Sequence, residues 1–324
     1  MRVVVVGATG NLGSAVVNAL AAEDGGEFEV IGVSRRPPSK PGLPMRWVGA
    51  DITRDSLEKA FEGADAVIHL AWAIQPVRRR RLLWTTNVEG SLRVFDAAVR
   101  AGAKAVLYAS SVGAYSPGPK GVPVDESWPT NGVPTSSYSV QKAYVERSMD
   151  RYCLEHPDVR FVRMRPGLVF SRDAAGDVRR YFLGGLVPTR LLAPPMIKFL
   201  PAVAGLSLQI VHSSDVGEAF RLALSSDVSG AFNLAADPVI DSEALSVLLG
   251  AKMIRLPASV LSAAAKLSWA LRLQPTEPGW LDMGLSVPTM ATQRAREELG
   301  WQPKHGAGEA LLELLWAMGG TAAP

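Results

Sequence analysis

Cysteine and histidine are scarce in this chain: its 324 residues include one cysteine, Cys153, and four histidines. A disulfide framework requires paired cysteines, and a structural zinc site requires clustered ligands. The histidines, at positions 69, 156, 212 and 305, are too far apart in the sequence to form a ligand-spaced cluster. The sequence therefore predicts neither a disulfide nor a metal site. The single cysteine fits a reducing cytoplasm, where we expect the protein to be located.

The chain also lacks a strong excess of charge and a long apolar run. Its net charge of +3 is too small to indicate binding to nucleic acid. The apolar run before Gly7 is too short for a signal peptide, and the apolar stretch 257–273 contains Lys266 and Arg272 and is too short to span a bilayer. With 48% hydrophobic and 20% charged residues, the composition is that of a globular protein. We expect neither nucleic acid nor a membrane as a partner.

Short apolar strands alternate with helices in the first half of the chain. The predicted strands are Arg2–Gly7, Phe28–Val33, Met45–Gly49, Asp65–Leu70, Lys104–Ala109 and Val159–Met164. The predicted helices are Asn11–Ala22, Asp55–Phe61, Arg79–Ala101 and Ser137–Glu155. Strands that are apolar on both faces and separated by helices form a parallel sheet covered on both sides. Because such crossovers are right-handed, we predict an α/β fold with a doubly wound parallel Rossmann sheet.

The second half has more prolines and glycines, shorter helices and longer loops. We interpret Val211–Val216 as a strand that returns to the main sheet, followed by a helix to about Leu224, and Ala231–Ala235 and Met253–Leu256 as further short strands. We therefore predict a dinucleotide-binding Rossmann domain of residues 1–167, completed by residues 206–229. Residues 168–205 and 230–324 are predicted to form a second, smaller, mixed α/β domain that binds the substrate.

A glycine turn, Gly7–Gly13 with the sequence GATGNLG, directly follows the first predicted strand. Gly7 allows a tight bend, Gly10 lets the backbone approach a pyrophosphate, and Gly13 lets the next helix pack closely on the strand. The free N–H groups and the positive dipole at the helix N-terminus also favour phosphate. A structural turn is the alternative, but the strand before and the helix after favour a dinucleotide site.

Two arginines, Arg35 and Arg36, follow the second strand, where an acidic residue would hold a ribose 2′-hydroxyl. Guanidinium groups suit a 2′-phosphate instead, so the pair favours NADP over NAD, which stays possible. A solvated basic loop is the alternative for these arginines.

Asp51 and Ile52 follow the third strand, where an acid could contact the adenine amino group. For Asp51 a turn or helix-capping role is the alternative.

Tyr138 and Lys142 lie four residues apart at the start of a predicted helix and therefore share one face. A phenol titrates at about pH 10, and a nearby ammonium would lower that pKa and make Tyr138 usable as an acid or base. Lys142 could also bind the nicotinamide ribose, and Ser111, after the strand Lys104–Ala109, could hold the substrate oxygen. Such a pair is often only a helix surface. With the glycine turn upstream, we predict a catalytic site of Ser111, Tyr138 and Lys142.

These motifs and several others resemble those of the extended short-chain dehydrogenases/reductases of the NAD-dependent epimerase/dehydratase family, over nearly the whole chain. The other motifs are His69–Ala71, Thr86–Gly90, Tyr108–Tyr115, Arg165–Val169, Val211–Val216 and Glu298–Pro303. The resemblance implies that Tyr138 is the general acid/base, that Lys142 is its electrostatic partner and that Ser111 orients the reacting oxygen. It gives Asn87 a supporting role in its helix.

The turn, the arginines and the resemblance together give one set of predicted cofactor-binding residues: Gly7, Thr9, Gly10, Asn11, Leu12, Gly13, Arg35, Arg36, Asp51, Ile52, Leu70, Ala71, Asn87, Tyr138, Lys142, Pro166 and Val169. The resemblance also implies a C-terminal domain over the nicotinamide and a homodimer formed through the helices Arg79–Ala101 and Ser137–Glu155. The chain departs from the family's dehydratases, because Val112 and Gly113 stand where those enzymes carry an Asp-Glu pair. This departure argues against sugar 4,6-dehydration.

The substrate is a small molecule that the sequence does not name. The run Arg78–Arg81 could clamp an anionic or nucleotide-linked substrate, or could be a solvated loop, which we favour. The same alternatives hold for Arg172, Arg179 and Arg180. Pocket lining and core packing are both open for three tryptophans, Trp128, Trp269 and Trp280.

Taken together, the residues predict an NAD(P)-dependent oxidoreductase that prefers NADP. It would transfer a hydride to or from a carbonyl or secondary alcohol, with Tyr138 as the acid/base. One alternative is a nucleotide-sugar epimerase that retains NAD(P). Another, of a different class, is a non-catalytic NADP-binding sensor on the same scaffold. The presence of Ser111, Tyr138 and Lys142 argues against the sensor.

Overall fold

A computed structural model describes residues 1–22, 27–39, 45–75, 78–183, 191, 193–255 and 257–320. Its strands, in chain order, are β1 (Arg2–Val6), β2 (Glu29–Ser34), β3 (Arg46–Gly49), β4 (Ala66–His69), β5 (Ala105–Ala109), β6 (Arg160–Pro166), β7 (Leu168–Phe170), β8 (Phe199–Ala202), β9 (Leu208–His212), β10 (Gly230–Leu234), β11 (Ala236–Ile240) and β12 (Lys252–Arg255). Its α-helices are α1 (Asn11–Ala21), α2 (Glu58–Phe61), α3 (Arg80–Trp84), α4 (Gly90–Arg100), α5 (Ser137–Glu155), α6 (Ala175–Val178), α7 (Ser213–Leu224), α8 (Ser242–Leu249), α9 (Ala258–Ala270), α10 (Gly279–Ser286), α11 (Gln293–Glu298) and α12 (Ala307–Gly319). Two π-helical turns, Thr85–Glu89 and Arg179–Leu183, follow α3 and α6.

The main sheet joins parallel strands in the order β10-β6-β5-β4-β1-β2-β3. The interior strand β1 is a run of valines, Val3–Val6, that are at most 1% exposed. Val3 and Val5 pack with α1 and α7 on one face, and Val4 and Val6 pack with α4 on the other. Burial on both faces explains why the strand is apolar at every position. The predicted α/β fold, a doubly wound Rossmann sheet with a smaller mixed region, is confirmed.

The strand order reverses at β1, because β2 lies on one side of it and β4 on the other. In open parallel sheets the carboxyl ends of strands at such a reversal form the crevice that receives a ligand. The glycine turn follows β1 directly, and the residues after β2 and β4 lie at the same edge of the sheet. The topology therefore brings the separate motifs of the first 75 residues to one place.

One predicted strand pairs differently from the expectation. β9 contains Val211 but does not return to the main sheet; it pairs in parallel with β7 and antiparallel with β11. The chain leaves the main sheet at Gly167, where a Cβ atom would lie only 2.3 Å from the carbonyl oxygen of Gln209. This close approach brings β9 beside β7, so the interpretation of Val211–Val216 as a main-sheet strand is wrong.

β10 instead completes the main sheet, in parallel with β6. Apolar periodicity identifies both segments as strands but does not identify their neighbours. We retain the two-domain division as a proposal, with residues 230–234 moved to the Rossmann domain. Leu256, the predicted end of another short strand, lies outside the described residues.

The helices in the first half follow the predicted ranges, with two differences. α5 has the predicted bounds, whereas α2 is limited to Glu58–Phe61. The predicted helix Arg79–Ala101 is divided by the π-helical turn Thr85–Glu89, which carries Asn87. Within the described ranges, no helix combines the length and the apolarity needed to cross a membrane.

The contact between α1 and α7 depends on a glycine. A Cβ atom at Gly217 in α7 would lie 2.6 Å from the carbonyl oxygen of Ala15 in α1. Backbone atoms cannot rotate away as a side chain can, so the two helices can approach this closely only when residue 217 is glycine. The contact holds the helix that follows the glycine turn against the rest of the protein.

We expect Gly217→Ala to destabilise the fold by about 1–3 kcal/mol, because the added methyl group forces the helices apart. The matched control is Gly284→Ala in α10, where a Cβ would meet no atom within 4 Å. There the helix propensity of alanine should add roughly 0.5–1 kcal/mol of stability. Urea unfolding of both variants measures the difference. Equal free energies of unfolding for the two variants would contradict the argument.

Candidate active site

The glycine turn opens into the crevice at the end of β1. Gly7 has a φ of +90°, and a Cβ there would lie 2.7 Å from the amide nitrogen of Ala71. At Gly13 a Cβ would lie 2.2 Å from the carbonyl oxygen of Gly7, so α1 packs directly on the turn. At Gly10 the nearest atom would be 3.5 Å away, and no side chain caps the helix. The first N–H groups of α1 can therefore bind a pyrophosphate.

A cleft of about 330 Å³ lies next to the turn. Eight of the predicted cofactor residues line it: Gly7, Thr9, Gly10, Arg35, Asp51, Ile52, Leu70 and Ala71. Residues not assigned to the cofactor from the sequence also line it, among them Trp72, Ala73, Thr86, Asp177, Arg180 and Tyr181. Arg180 and Tyr181 lie in the π-helical turn after α6, so the second half of the chain supplies one wall of the cleft.

A basic depression of about 600 Å³ adjoins this cleft at Thr9, Arg35 and Asp51. Arg36 and Arg54 also line it. Arg35 and Arg36 are exposed, and the Arg54 side chain is 77% exposed, 3.7 Å from the Asp51 carboxylate. The three guanidinium groups can together receive an anionic group such as a phosphate. Arg54 was not identified from the sequence, although its position three residues after Asp51 is a usable signal.

Asp51 also organises its own loop. Its carboxylate accepts hydrogen bonds from the Thr53 amide at 3.0 Å and the Thr53 hydroxyl at 2.7 Å. Burial acts to raise the pKa of Asp51, but the hydrogen bonds from Thr53 and the neighbouring arginines have a larger opposite effect. The net result is a pKa below the usual value of an aspartate. Asp51 thus fills the turn role that the sequence left open and still faces the cleft. Ile52 is buried and packs against Gly90.

Several predicted cofactor residues support the cleft rather than line it. Asn11 Oδ1 accepts a hydrogen bond from the hydroxyl of Ser171 at 2.8 Å. Leu12 and Val169 pack against the core on the α1 side of the sheet, and Pro166 is buried at the end of β6. Spacing along the chain places these residues near a cofactor, but it does not decide which way their side chains point.

The buried side chain of Asn87 hydrogen-bonds to protein groups on two sides. Its Oδ1 accepts from the amide of Ala73 at 2.7 Å, and its Nδ2 donates to the carbonyl of Ala73 at 2.8 Å and to Gln141 Oε1 at 2.7 Å. The side chain therefore fixes the loop after β4 to α5. Ala73 lines the cleft, so Asn87 acts on the cleft through that loop.

Ser111 and Tyr138 are brought together between the end of β5 and the start of α5. Ser111 is 6% exposed, and its Oγ accepts from the amide of Gly113 at 3.0 Å. Gly113 also adjoins the phenol, because a Cβ atom there would lie 3.0 Å from the ring of Tyr138. Burial raises the pKa of Tyr138 to about 12, although the Ser111 hydroxyl lowers it. The phenol is therefore protonated at neutral pH.

The ammonium of Lys142 lies closer to Trp72 than to Tyr138. Its Nζ donates to the carbonyl of Ala109 at 2.6 Å and lies 3.6 Å from the ring centroid of Trp72, against 5.8 Å from that of Tyr138. Burial holds the pKa of Lys142 well below its usual value, although Glu146 raises it. In this arrangement burial of the phenol dominates its pKa, and the role of Lys142 as the electrostatic partner of Tyr138 stays a prediction.

Beneath Lys142, one helical turn further along α5, lies a buried ion pair. The Glu146 carboxylate accepts from Arg165 Nε at 2.9 Å and Nη2 at 2.5 Å, and also from the hydroxyl of Ser110. Burial acts to raise the pKa of Glu146, but the charge of Arg165 and these hydrogen bonds have a larger opposite effect. The net result is a pKa below the usual value of a glutamate. The sequence reasoning missed Glu146, although its spacing of four from Lys142 marks the same helix face.

Two rings cover Tyr138. The indole of Trp280, in α10, lies 4.6 Å from the phenol ring between centroids, and that of Trp72 lies 5.9 Å away. The other two tryptophans considered from the sequence lie elsewhere: Trp128 packs in the cluster around Tyr115, and Trp269 receives Arg78. Of these three, only Trp280 stacks on the predicted acid/base.

Within the arginine run, Arg78 and Arg80 are held by protein groups. The Arg78 guanidinium lies 3.7 Å from the ring centroid of Trp269 and donates to its carbonyl oxygen. Arg80 Nη2 lies 3.3 Å from a carboxylate oxygen of Glu277, with its own side chain 80% exposed.

The described part of the chain contains no cluster of three or more His, Cys, Asp or Glu side chains that could hold a metal ion.

Comparison with known proteins gives consistent matches. The model of the NAD dependent epimerase/dehydratase family matches residues 3–235. The chain is 25% identical over 289 residues to the uncharacterized protein y4nG of Sinorhizobium fredii, covering 86% of this chain and 69% of that protein. It is 28% identical over 328 residues to the UDP-glucose 4-epimerase of Azospirillum brasilense, covering 94% and 88%. A solved UDP-glucose 4-epimerase of Thermus thermophilus in complex with NAD has the same fold, with a TM-score of 0.71, 23% identity and coverage of 98% and 99%.

We expect Glu146→Ala to cost about 3–5 kcal/mol of stability, because it leaves the Arg165 charge buried and unpaired. The control is Glu155→Ala on the same helix, since Glu155 is 49% exposed and its partner Arg151 is 61% exposed. An exposed ion pair contributes less than about 1 kcal/mol. Thermal and urea unfolding of the two variants provide the comparison. A loss for Glu146→Ala as small as that for Glu155→Ala would disprove the supporting role.

Proposed function

Since the chain belongs to the NAD dependent epimerase/dehydratase family and is an NAD(P)-dependent enzyme, we propose that it is an oxidoreductase that prefers NADP and acts on a carbonyl or secondary alcohol. The observation that carries this proposal is the position of Tyr138, whose ring lies 5.9 Å, between centroids, from that of Trp72, a residue that lines the cleft beside the glycine turn. A protonated phenol beside a hydroxyl is an acid in position to act. That state suits reduction, in which the substrate oxygen must receive a proton.

The cofactor fits the cradle described above. When bound, NAD(P) supplies a hydride to a substrate carbon or accepts one from it. In reduction a C–H bond forms at the carbonyl carbon, the π pair of the C=O bond moves to oxygen, and Tyr138 Oη gives that oxygen its proton. Ser111 Oγ would donate a hydrogen bond to the same oxygen. Lys142 would leave Ala109 and support the phenolate that remains.

The preference for NADP is supported by charge at the adenine end. Arg35, Arg36 and Arg54 line the depression that adjoins the cleft. A guanidinium binds a phosphate with charge-assisted hydrogen bonds, whereas a ribose hydroxyl is better held by a carboxylate. We propose that these arginines receive the 2′-phosphate. Asp51 would face the adenine across the same cleft.

A second candidate function is nucleotide-sugar epimerisation with retained NAD. It is favoured by the 28% identity to a UDP-glucose 4-epimerase over 94% of the chain. Fluorescence titration of the purified protein with NADPH and NADH, together with an assay for tightly bound NAD, separates the two candidates. Reversible NADPH binding to a cofactor-free preparation supports the reductase. Stoichiometric bound NAD, with conversion of UDP-glucose, supports the epimerase.

We propose further that the protein is a homodimer formed through the α3–α4 segment and α5. In α5, Tyr144 is 39% exposed and Leu154 is 83% exposed. Sedimentation velocity with Leu154→Asp tests the proposal, because a buried charge in the interface should shift the population to monomers. A wild-type monomer at micromolar concentration would contradict it.

Removing the phenolic proton donor should abolish turnover without loss of cofactor. We expect Tyr138→Phe to lower kcat by roughly 10²–10⁴-fold, the usual contribution of a positioned acid or base, with the Kd for NADPH unchanged. The control is Tyr144→Phe, an exposed tyrosine on the same helix. Steady-state kinetics and fluorescence titration give both values. Full activity in Tyr138→Phe would eliminate the proposed mechanism.

Removing the basic pair should reverse the cofactor preference. We expect Arg35→Ala/Arg36→Ala to weaken NADPH binding by about 10–100-fold and to leave NADH binding within about twofold, because only the 2′-phosphate interaction is lost. Arg100→Ala/Arg255→Ala, which removes two exposed arginines in α4 and β12, controls for the change in net charge. Equal losses for NADPH and NADH would show that the arginines do not read the 2′-phosphate.

A further inference from the structure

Helix α9 exposes a row of apolar side chains to solvent. Val260, Leu267 and Leu271 are 50%, 61% and 59% exposed, and Ala264 is exposed as well. Leu271 is the C-cap of the helix. The spacing i, i+4, i+7 and i+11 places these four residues along one face, and we call them the apolar stripe. Monomeric proteins rarely expose a contiguous apolar surface of this kind unless it contacts a partner.

A different face of α9 is turned toward the protein. Leu261, Ala265 and Trp269 are partly buried, and their spacing of four places them side by side. The ring of Trp269 receives the Arg78 guanidinium at 3.7 Å from its centroid. The helix is therefore apolar both where it meets the protein and where it meets solvent. Such a helix is typical of a position between the protein and a second apolar phase.

The segment around the stripe is basic. Residues 251–276 contain four basic side chains, Lys252, Arg255, Lys266 and Arg272, and no aspartate or glutamate. All four are exposed, and none of them forms an ion pair with a carboxylate of the residues that the structure describes. The whole chain has 34 basic and 31 acidic residues, so this excess of positive charge is local. The face is complementary to an anionic partner.

Strand β12, which precedes α9, adds to this surface. All of its residues are exposed, among them Met253 at 43% and Ile254 at 45%. It pairs in parallel with β8, where Phe199 is 62% exposed and follows the exposed Lys198. Exposed apolar side chains flanked by basic ones thus recur on the two elements that lie next to α9.

We propose that α9 docks on the surface of a bilayer that contains anionic phospholipids. The apolar stripe would enter the boundary between headgroups and acyl chains, and the basic side chains around it would bind lipid phosphates. A second copy of this chain is a poorer occupant, because two such faces would bring like charges together with no carboxylate between them. The contact depends neither on the cofactor nor on the reaction.

A helix that lies on a bilayer does not have to cross it. The length of the apolar stretch 257–273 argued against a spanning segment, and the described helices agree. Contact through one helix face needs only an apolar stripe and flanking cations, both of which α9 has. The sequence-based expectation that a membrane is not a partner therefore does not extend to this surface.

Co-sedimentation of the full chain with vesicles tests the proposal. We expect binding to vesicles of phosphatidylcholine and phosphatidylglycerol in equal parts, and weaker binding at high salt, because exposed charges are screened. Leu267→Ser/Leu271→Ser should weaken binding by about 10–100-fold through the loss of apolar burial. The matched control is Val122→Ser, since Val122 is a 68% exposed apolar residue in another part of the chain.

A second pair of variants tests the charges. Lys266→Gln/Arg272→Gln should weaken binding to the mixed vesicles by roughly tenfold or more, because two contacts with the anionic surface are lost. Lys59→Gln/Arg100→Gln, which removes two exposed cations in α2 and α4, should leave it within about twofold. Thermal unfolding of every variant checks that the substitutions, all at exposed positions, leave the fold intact.

Each of four results would contradict the proposal: no binding of the wild type to mixed vesicles, equal binding to vesicles of phosphatidylcholine alone, wild-type binding by the leucine variant, or wild-type binding by the charge variant. Sedimentation velocity without lipid distinguishes the other occupant. A wild-type dimer that becomes a monomer in Leu267→Ser/Leu271→Ser, with no vesicle binding by either, would assign the stripe to a second copy and overturn the bilayer contact.

Discussion

The buried ion pair between Glu146 and Arg165 joins α5 to β6, and the position of the candidate active site depends on it. Tyr138, Lys142 and Glu146 are spaced by four residues and so follow one face of α5. Arg165 also donates to the Tyr115 hydroxyl at 2.9 Å, and that hydroxyl donates to Asn233 Oδ1 at 2.7 Å in β10. The helix that carries Tyr138 and Lys142 is thus held against two strands by a connected polar network. Such a network is stable only when every buried polar group has a partner.

Burial on this helix face opposes the charges that catalysis would use. The pKa of Tyr138 is raised to about 12 and that of Lys142 is lowered, in both cases mainly by burial. Both shifts oppose charge on the two side chains. Under the proposed function, Tyr138 would deliver a proton, and electrostatic help from Lys142 would depend on polar groups that a bound cofactor brings to it.

The two parts of the cleft differ in how far a sequence can predict them. The spacing of Gly7, Gly10 and Gly13 can be recognised from the sequence. In the structure Gly7 has a positive φ, Gly10 leaves an open side, and Gly13 makes a close backbone contact. Arg180 and Tyr181 reach the same cleft from more than 100 residues away. No periodicity or spacing connects them to the turn, because the contact arises from the path of the chain after Gly167. The sequence allows Trp280 either to line a pocket or to pack in the core, but it does not predict that its ring lies against that of Tyr138.

The sequence by itself determined the α/β class, the parallel strands before residue 165, the glycine turn and the shared face of Tyr138 and Lys142. Each of these depends on local residue type and on spacing within one element, which the chain carries directly. Tertiary structure alone decided that β10 completes the main sheet and that β9 does not. It also decided that Lys142 lies against Trp72, and that Trp72 and Trp280, from two distant segments, lie against Tyr138. Those features depend on which distant surfaces are buried together, and burial also sets the direction of the pKa shifts.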